Sequence, residues 1–249
     1  MKRGILMKVE FIDNMGDDIS VVNAARVSFN KTSDGVGVDE CVDHTDENGE
    51  CTLYAFIPNL NDPDKKLINF LAKHNHFTPF THAMVTLREK VPIFVARQRF
   101  KHVVGFSYNE VSRRYVSDPP DFHVPENWRS RPESVKQGSS STDFVTNFKE
   151  PLLDESSSLD EVYMAHVIKS NKLYTEMIES GVCPEQARMV LPQSMMTEYY
   201  VTGSLYAWAR AYNLRKSSTA QLEIQELASE WDKILGALFP ISWEALTQD

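Results

Sequence analysis

Apolar residues recur along the chain with two different periods, and each period predicts one kind of element. Between residues 64 and 74 they follow the i, i+3, i+4, i+7 spacing of one helix face. That predicted face consists of Leu67, Phe70, Leu71 and His74. Between residues 83 and 88 apolar side chains occupy every second position, which predicts a half-buried strand.

Capping residues, prolines and glycines bound the other predicted elements. We expect strands at 8–12 and 197–203, a hairpin near 54–57, and helices at about 17–27, 93–102, 159–180, 184–190, 204–214 and from Ser217 or Ser218 to about 238. Strands and helices are interspersed without a regular βαβ order. The predicted fold class is therefore α+β, with an antiparallel sheet flanked by helices.

Two stretches interrupt this pattern. Residues 31–63 are rich in Asp, Gly, Asn and Thr, and residues 118–158 are rich in Pro and Ser. Both are predicted to be surface excursions, the second a loop or mobile lid. Nothing in their composition marks a domain boundary, so we expect one domain over residues 1–249.

Charge and composition disfavour several classes of protein. The 249 residues include 26 basic and 35 acidic ones, a net charge of −9, which disfavours nucleic acid as a partner. No apolar run is long enough for a signal peptide or a membrane span. The three cysteines are an odd number without a CxxC motif, so we expect no disulfide framework, a reducing compartment and a cytoplasmic protein. Cys41, His44 and Cys51 lack regular zinc spacing, and no metal is predicted.

The segment from Arg88 to Arg114 is a basic island in this acidic chain. Its seven basic and two acidic residues give +5, which leaves −14 elsewhere. One interpretation is a solvated helix face, the usual context of a charge run. The other is a nucleotide-phosphate site, because apolar residues interleave the island and arginine binds phosphate through a planar fork. No Rossmann or P-loop glycine motif accompanies it.

Two motifs of this island resemble the signature of the flavin-dependent thymidylate synthases. They are Ala-Arg-Gln-Arg-Phe-Lys-His at 96–102 and Asn-Glu-Val-Ser-Arg-Arg-Tyr at 109–115. Further blocks resemble the family in the same order: Ala-Ala-Arg-Val-Ser-Phe at 24–29, His-Phe-Thr-Pro-Phe-Thr-His at 76–82, Ala-Arg-Met-Val-Leu-Pro at 187–192 and Asn-Leu-Arg at 213–215. The signature, counted as one block, and the four further blocks make five ordered blocks, so the resemblance is specific.

The signature of that family is Arg-His-Arg, seven residues and Ser, and this chain departs from it. Arg97-Gln98-Arg99 with Ser107 keeps the spacing but puts the flanking motifs out of step. Lys101-His102-Val103 with Ser112 adds one residue and keeps both flanks, so we prefer it. Lysine is a point charge where arginine is a planar fork, so the geometry near the flavin should differ.

The resemblance implies a thymidylate synthase-complementing-protein-like fold and the methylation of dUMP to dTMP. It also implies FAD as hydride carrier, methylene-tetrahydrofolate as carbon donor, NADPH as reductant, and a homotetramer whose subunits share active sites. The dUMP positions it implies are Gln98, Arg99, Lys101, Glu110, Val111, Ser112, Arg113, Arg114, Arg188 and Arg215. The flavin positions it implies are His76, Thr78, Lys101, His102, Val103, Asn109, Glu110, Ser204, Tyr206 and Arg210. At the last three, family members more often carry Asn, Arg and Asn.

Arg215 is the predicted catalytic residue. In the family an arginine at this motif position stabilises the deprotonated pyrimidine, a case of charge stabilisation at a developing anion. A cysteine nucleophile is poorly supported, because Cys183 has no nearby base in the sequence. Simpler interpretations remain for single residues: Arg188 pairs with Glu185, or Arg215 complements a helix dipole. Two other functions also remain, a catalytically impaired nucleotide- or flavin-binding homologue and a single-stranded nucleic-acid-binding module.

Overall fold

A computed structural model describes residues 7–41, 51, 54–116, 118–131, 139–140, 142–149 and 156–248. Its strands are β1 (Lys8–Met15), β2 (Gly37–Cys41), β3 (Tyr54–Pro58), β4 (Met84–Pro92), β5 (Phe106–Glu110), β6 (Asn147–Lys149), β7 (Ser156–Ser158) and β8 (Met196–Ser204). Its α-helices are α1 (Asp18–Arg26), α2 (Asp62–Lys73), α3 (Ile93–Arg99), α4 (Leu159–Glu179), α5 (Pro184–Ala187), α6 (Leu205–Arg215), α7 (Leu222–Leu238) and α8 (Pro240–Thr247).

The main sheet has four strands in the order β1-β4-β8-β5. Strand β4 buries every second residue from Val85 to Val91, as its alternating sequence predicts. Two antiparallel pairs, β2–β3 and β6–β7, form separate small sheets. This antiparallel sheet with flanking helices confirms the predicted α+β class.

The chain divides into two compact units. The first unit is drawn from Val9–Glu89, Phe100–Asn109 and Tyr200–Asp249, and the second mainly from Lys90–Arg99 and Glu110–Tyr199. Whether these units form one domain, as the sequence predicts, stays a prediction.

The core of the first unit is built around two buried tryptophans. The rings of Trp208 and Trp231 meet edge to face, with centroids 5.5 Å apart. Their indole N–H groups donate to the carbonyl of Val85 at 3.2 Å and to the carboxylate of Glu89 at 2.9 Å. Because both polar tips are satisfied, these large side chains stabilise the unit without leaving a buried donor unpaired.

Asp18 links α1 to the last helix of the same unit. It is fully buried, and its carboxylate accepts the backbone N–H groups of Ile241 and Ser242, each at 2.9 Å. Burial raises the pKa of Asp18, more than its hydrogen bonds to Ser242 and Ile241 lower it. The acid thereby caps the first turn of α8, where the backbone N–H groups have no helical partner.

In the second unit, the long helix α4 packs on α5 and on the 3-10 turn that follows it. Val167, Tyr174 and Ala187 form the buried part of this contact region. The hydroxyl of Tyr163, also on α4, donates to the carbonyl of His123 at 2.5 Å. A partly buried ion pair joins Lys90 to Asp121 at 2.6 Å.

The predicted face of α2 is wrong in part. The helix buries Asp64, Ile68 and Leu71, whereas Phe70 is 53% exposed and His74 is also exposed. Tertiary contacts explain the difference. The Asp64 carboxylate accepts hydrogen bonds from Arg26 Nε at 3.0 Å and Ser33 Oγ at 2.9 Å, so an acidic residue lies on the buried face.

Two boundaries also differ from prediction, and one helix was not predicted. Helix α3 ends at Arg99 rather than near 102, and α7 begins at Leu222, after Gln221 and not after a capping serine. A further helix, α8, begins at Pro240. The described part of the predicted 118–158 loop contains the β6–β7 pair. Residues 42–50, 52–53, 132–138, 141 and 150–155 of the two predicted excursions lie outside the described residues.

The prediction about the cysteines is wrong for two of the three. Cys41, at the end of β2, is disulfide-bonded to Cys51, with their Cα atoms 6.0 Å apart. An odd count argued against a framework of several bridges, but one local pair is compatible with three cysteines. Cys183 is free and exposed. His44, the third residue weighed as a zinc ligand, lies outside the described residues. Among the described helices, none has the length and apolar character needed to cross a membrane.

Candidate functional site

Helix α6 is the element that fixes the candidate site in the first unit. It begins where the hydroxyl of Ser204 accepts the backbone N–H of Ala207 at 3.3 Å, an N-cap. The loop before β5 approaches this turn closely at Gly105, which has φ +81°. A Cβ atom on Gly105 would lie 2.8 Å from the Cβ of Ala207, so only glycine permits this approach.

Arg215, the last residue of α6, meets His102 of that loop. Its Nε donates to Nε2 of His102 at 2.9 Å across 113 positions of the sequence. Because arginine has only donors, this imidazole nitrogen accepts and carries no proton. The hydroxyl of Tyr108 donates to the His102 carbonyl at 2.7 Å and holds the loop in place. The structure thus brings together the predicted catalytic arginine and a predicted flavin residue.

The second part of the candidate site is a cavity on another face of α6. A cavity of about 600 Å³ lies between this helix, α2 and α8. Tyr206 and Arg210, two predicted flavin residues, line it. The guanidinium of Arg210 lies over the ring of Tyr206, 5.9 Å from its centroid.

The other predicted flavin residues of the first unit lie on loops and strand ends. His76 precedes a short 3-10 turn over Thr78–Thr81, in which the Thr81 hydroxyl donates to the Thr78 carbonyl at 2.6 Å. Lys101 and Val103 are exposed on either side of His102, and Asn109 is exposed on β5. Their assignment to a flavin stays a prediction.

In the second unit, Glu110 and the turn after it carry the predicted dUMP residues. Glu110 accepts the hydroxyl of Thr197 at 2.6 Å, and Val111 donates its backbone N–H to the carbonyl of Glu198. Ser112 is half-buried, and its hydroxyl accepts the backbone N–H of Arg114 at 3.3 Å. The side chain of Arg113 donates to the carbonyl of Asp118.

Three arginines of the second unit have different environments. Arg114 forms an ion pair with Glu185 at 2.6 Å, with both side chains about half exposed. Arg188, three residues after Glu185, is exposed. In the described part of the chain it forms no ion pair with Glu185. Arg99, beside half-buried Gln98, is fully buried in the chain. The assignment of Gln98, Arg99, Arg114 and Arg188 to dUMP stays a prediction.

Sequence reasoning missed the α2 side of the cavity. Asn69, Ala72 and Lys73 line it at i, i+3 and i+4, facing a matching row on α6. The spacing of these residues is a signal in the sequence, but polar residues at helical spacing are also typical of a solvent-exposed face. Nothing in the sequence indicated which helix these residues would face.

Comparisons with known proteins identify the family of the chain. The profile of the family described as thymidylate synthase complementing protein matches residues 10–241. A flavin-dependent thymidylate synthase of Thermosipho africanus is 36% identical over 95% of this chain and 89% of its own length. One of Thermotoga neapolitana is 34% identical over 98% and 94%. A crystal structure of the UMP/dUMP methylase PolB from Streptomyces cacaoi, bound with 5-Br dUMP, has a TM-score of 0.70 at 25% identity and covers 98% of this chain and 96% of its own.

The fold, the family profile and the named relatives together define an α+β enzyme of the methyltransferase class. The chain belongs to the flavin-dependent thymidylate synthase family. The resemblance seen in its sequence motifs is therefore confirmed.

Proposed function

We propose that this protein methylates dUMP reductively to dTMP, with methylene-tetrahydrofolate as carbon donor, FAD as cofactor and NADPH as reductant. Its relatives bear the name flavin-dependent thymidylate synthase, and the PolB structure contains a brominated dUMP. The observation that carries the proposal is the hydrogen bond between Arg215 and His102, because it joins two motif blocks that the resemblance assigns to substrate and flavin.

Arg215 would activate the pyrimidine. His102 holds the Nε of its guanidinium, and the end of α6 holds its backbone. Little reorientation is therefore needed when negative charge develops at N3 of the pyrimidine. Such a donor stabilises the electron-rich form of the ring without a covalent enzyme bond. Cys183 is exposed and has no nearby base in the sequence, so it remains a poor candidate for a nucleophile.

The described residues fit a flavin dinucleotide. A cavity of about 600 Å³ falls in the range usual for cofactor sites, and it combines an aromatic wall with cationic side chains. Bound FAD would supply the hydride that turns the transferred methylene group into a methyl group. The residues proposed to hold it in the first unit are His76, Thr78, Lys101, His102, Val103, Asn109, Ser204, Tyr206 and Arg210.

Arg114 and Arg188 are proposed to bind the dUMP phosphate. Arg114 is paired with Glu185, but both side chains are about half exposed, and such surface pairs contribute only about 0–1 kcal/mol. A phosphate can therefore replace Glu185 as the partner of Arg114 at small cost. Arginine forms bidentate, charge-assisted hydrogen bonds with phosphate oxygens, which favours these two residues for this role.

We further propose a homotetramer with shared active sites in the cytoplasm. Light scattering of the purified protein at micromolar concentration tests the assembly. A monomeric mass in the presence of FAD would contradict it.

The reaction itself is tested by incubating the purified protein with dUMP, methylene-tetrahydrofolate, FAD and NADPH. Chromatography should detect dTMP, and omission of any one component should abolish it. A protein that binds FAD and dUMP but forms no dTMP would instead be the impaired homologue. Lys101 and Val103, which replace two arginines of the family signature, give that alternative its specific support.

A further inference from the structure

The hydroxyl of Thr197 is a buried donor that contacts one of the predicted ligand residues. Thr197 lies on β8 in the second unit and is 5% exposed. Its Oγ1 donates to Oε1 of Glu110 at 2.6 Å, across 87 positions of the sequence. Because a carboxylate only accepts, the direction of this hydrogen bond is fixed, and its length is typical of a charge-assisted O–H···O bond.

Packing alone would not require a hydroxyl at position 197. Buried strand positions favour apolar and β-branched side chains, and valine has nearly the shape of threonine. Tyr199, the next residue on the same face of β8, is also buried. A buried hydroxyl needs a hydrogen-bond partner to offset its desolvation, so a threonine here depends on where the Glu110 carboxylate lies.

Glu110 is held both at its backbone and at one carboxylate oxygen. It is the last residue of β5, and the next residue, Val111, donates its backbone N–H to the carbonyl of Glu198 at 2.9 Å. Glu110 is exposed, and among the described residues its second oxygen, Oε2, has no hydrogen-bond partner. The arrangement leaves one oriented acceptor that a ligand can reach.

The chemistry of a carboxylate limits what that acceptor can bind. It accepts hydrogen bonds from O–H and N–H groups, and it repels phosphate because both are anionic. Its partner in a bound nucleotide is therefore a hydroxyl or a ring N–H. The resemblance assigns Glu110 to dUMP and to the flavin, and both molecules carry such donors.

We infer that Thr197 is a positioning residue: its hydroxyl fixes the Glu110 carboxylate so that Oε2 accepts a hydrogen bond from a hydroxyl or ring N–H of the bound nucleotide. The inference rests on the proposed function, which supplies the nucleotides. Thr197 acts through Glu110 and does not itself contact the ligand. Because the carboxylate is already oriented, less side-chain entropy is lost when the nucleotide binds.

Two substitutions separate the hydroxyl of Thr197 from its shape. Thr197→Val keeps the branched shape and removes the donor, whereas Thr197→Ser keeps the donor and removes a methyl group. If Thr197 positions Glu110, the valine variant should be impaired and the serine variant should resemble the wild type. A packing role predicts the reverse order, because valine preserves the buried volume.

Thr202→Val is the matched control. Thr202 lies on the same strand, and its hydroxyl forms a hydrogen bond with the hydroxyl of Thr86 at 2.9 Å. The same atom is therefore removed from a hydrogen bond that does not involve Glu110. This variant should bind both nucleotides as the wild type does.

The test measures two dissociation constants. Calorimetry gives that of dUMP for the FAD-loaded protein, and flavin fluorescence gives that of FAD. Thr197→Val should weaken one or both ligands roughly tenfold, as expected for the loss of one hydrogen bond to a charged group. A loss confined to dUMP places the carboxylate against the substrate, and a loss confined to FAD places it against the flavin.

A double variant shows whether Thr197 acts through Glu110. Glu110→Ala removes the carboxylate, so adding Thr197→Val to it should cause no further loss of binding. The inference is overturned if Thr197→Val binds both ligands normally, if Thr197→Ser is impaired as strongly as Thr197→Val, or if the two losses add in the double variant.

This inference and the proposed function fail in different ways. A wild type that binds both nucleotides, with the expected loss in Thr197→Val, but forms no dTMP would contradict the proposed function alone. A wild type that forms dTMP, with a Thr197→Val variant that binds both ligands normally, would contradict the inference alone. Circular dichroism melts of each variant show whether a loss of binding comes from unfolding.

Discussion

Replacing Arg215 separates its role in chemistry from a role in helix capping. In Arg215→Ala the guanidinium that His102 orients at 2.9 Å is removed. Loss of one preorganised donor to a developing anion typically lowers turnover about 10²–10³-fold, or about 2.7–4 kcal/mol. Capping the dipole at the end of α6 is worth only about 0.3–1 kcal/mol, and mainly in stability. The two roles therefore predict rate losses that differ greatly.

Arg215→Lys and His102→Ala refine the test. Lysine keeps the charge but has neither Nε–H nor a planar fork, so dTMP formation should remain impaired. His102→Ala keeps the guanidinium and removes the acceptor that orients it. A hydrogen bond to a charged group contributes about 1.5–3 kcal/mol, which is the upper bound of the expected loss. Lys233→Ala, an exposed residue of α7, is the control.

The assay measures dTMP formation and NADPH oxidation separately for each variant. Oxidation of NADPH does not require the pyrimidine anion, so it should survive in Arg215→Ala better than dTMP formation. Near wild-type dTMP formation in Arg215→Ala would refute the catalytic assignment. A parallel loss of both reactions would show that the arginine acts on cofactor binding or folding instead.

The remaining predictions concern binding, pH and thiols. Arg188→Ala should weaken dUMP by about 1.5–3 kcal/mol in a calorimetric titration and leave FAD bound; loss of FAD with normal dUMP affinity would reassign the residue. Burial raises the pKa of Asp18 above its ordinary 3.8, so ionisation of this carboxyl opposes folding. The stability of the wild type relative to Asp18→Asn should therefore be greatest at low pH and decrease as pH rises through that raised pKa. Urea titrations measure this difference in stability, and a difference that does not change with pH would contradict the prediction. Alkylation of the denatured protein should label Cys183 alone before reduction and all three cysteines after it; three labels before reduction would disprove the Cys41–Cys51 bond.

The sequence predicts best those elements whose pattern is set locally. Strand β4 follows directly from its alternating pattern, and α6 differs by one residue at each end from the helix predicted at 204–214. The buried face of α2 could not be predicted in full, because Asp64 is buried only through partners on distant segments. Helix α8 was missed because a proline starts it immediately after α7 and its cap, Asp18, lies more than 200 positions away.

The candidate site, too, could be predicted from local motifs but not from contacts between distant segments. Motif resemblance identified Arg215, His102, Tyr206 and Arg210 as residues of interest, but spacing along the chain cannot show which side chains meet. The Arg215–His102 bond depends on how the loop at Gly105 approaches α6. Lys73 belongs to no motif, and only the packing of α2 and α6 against α8 brings it to the cavity.

The central claim is that this protein transfers a one-carbon unit to dUMP. The most direct measurement is mass spectrometry of the nucleotide product after incubation with methylene-tetrahydrofolate labelled in its methylene carbon, together with FAD and NADPH. We expect dTMP that contains the labelled carbon, formed by the wild type and nearly absent in Arg215→Ala. Unchanged dUMP from a wild-type protein with FAD bound, or dTMP without the label, would contradict the claim.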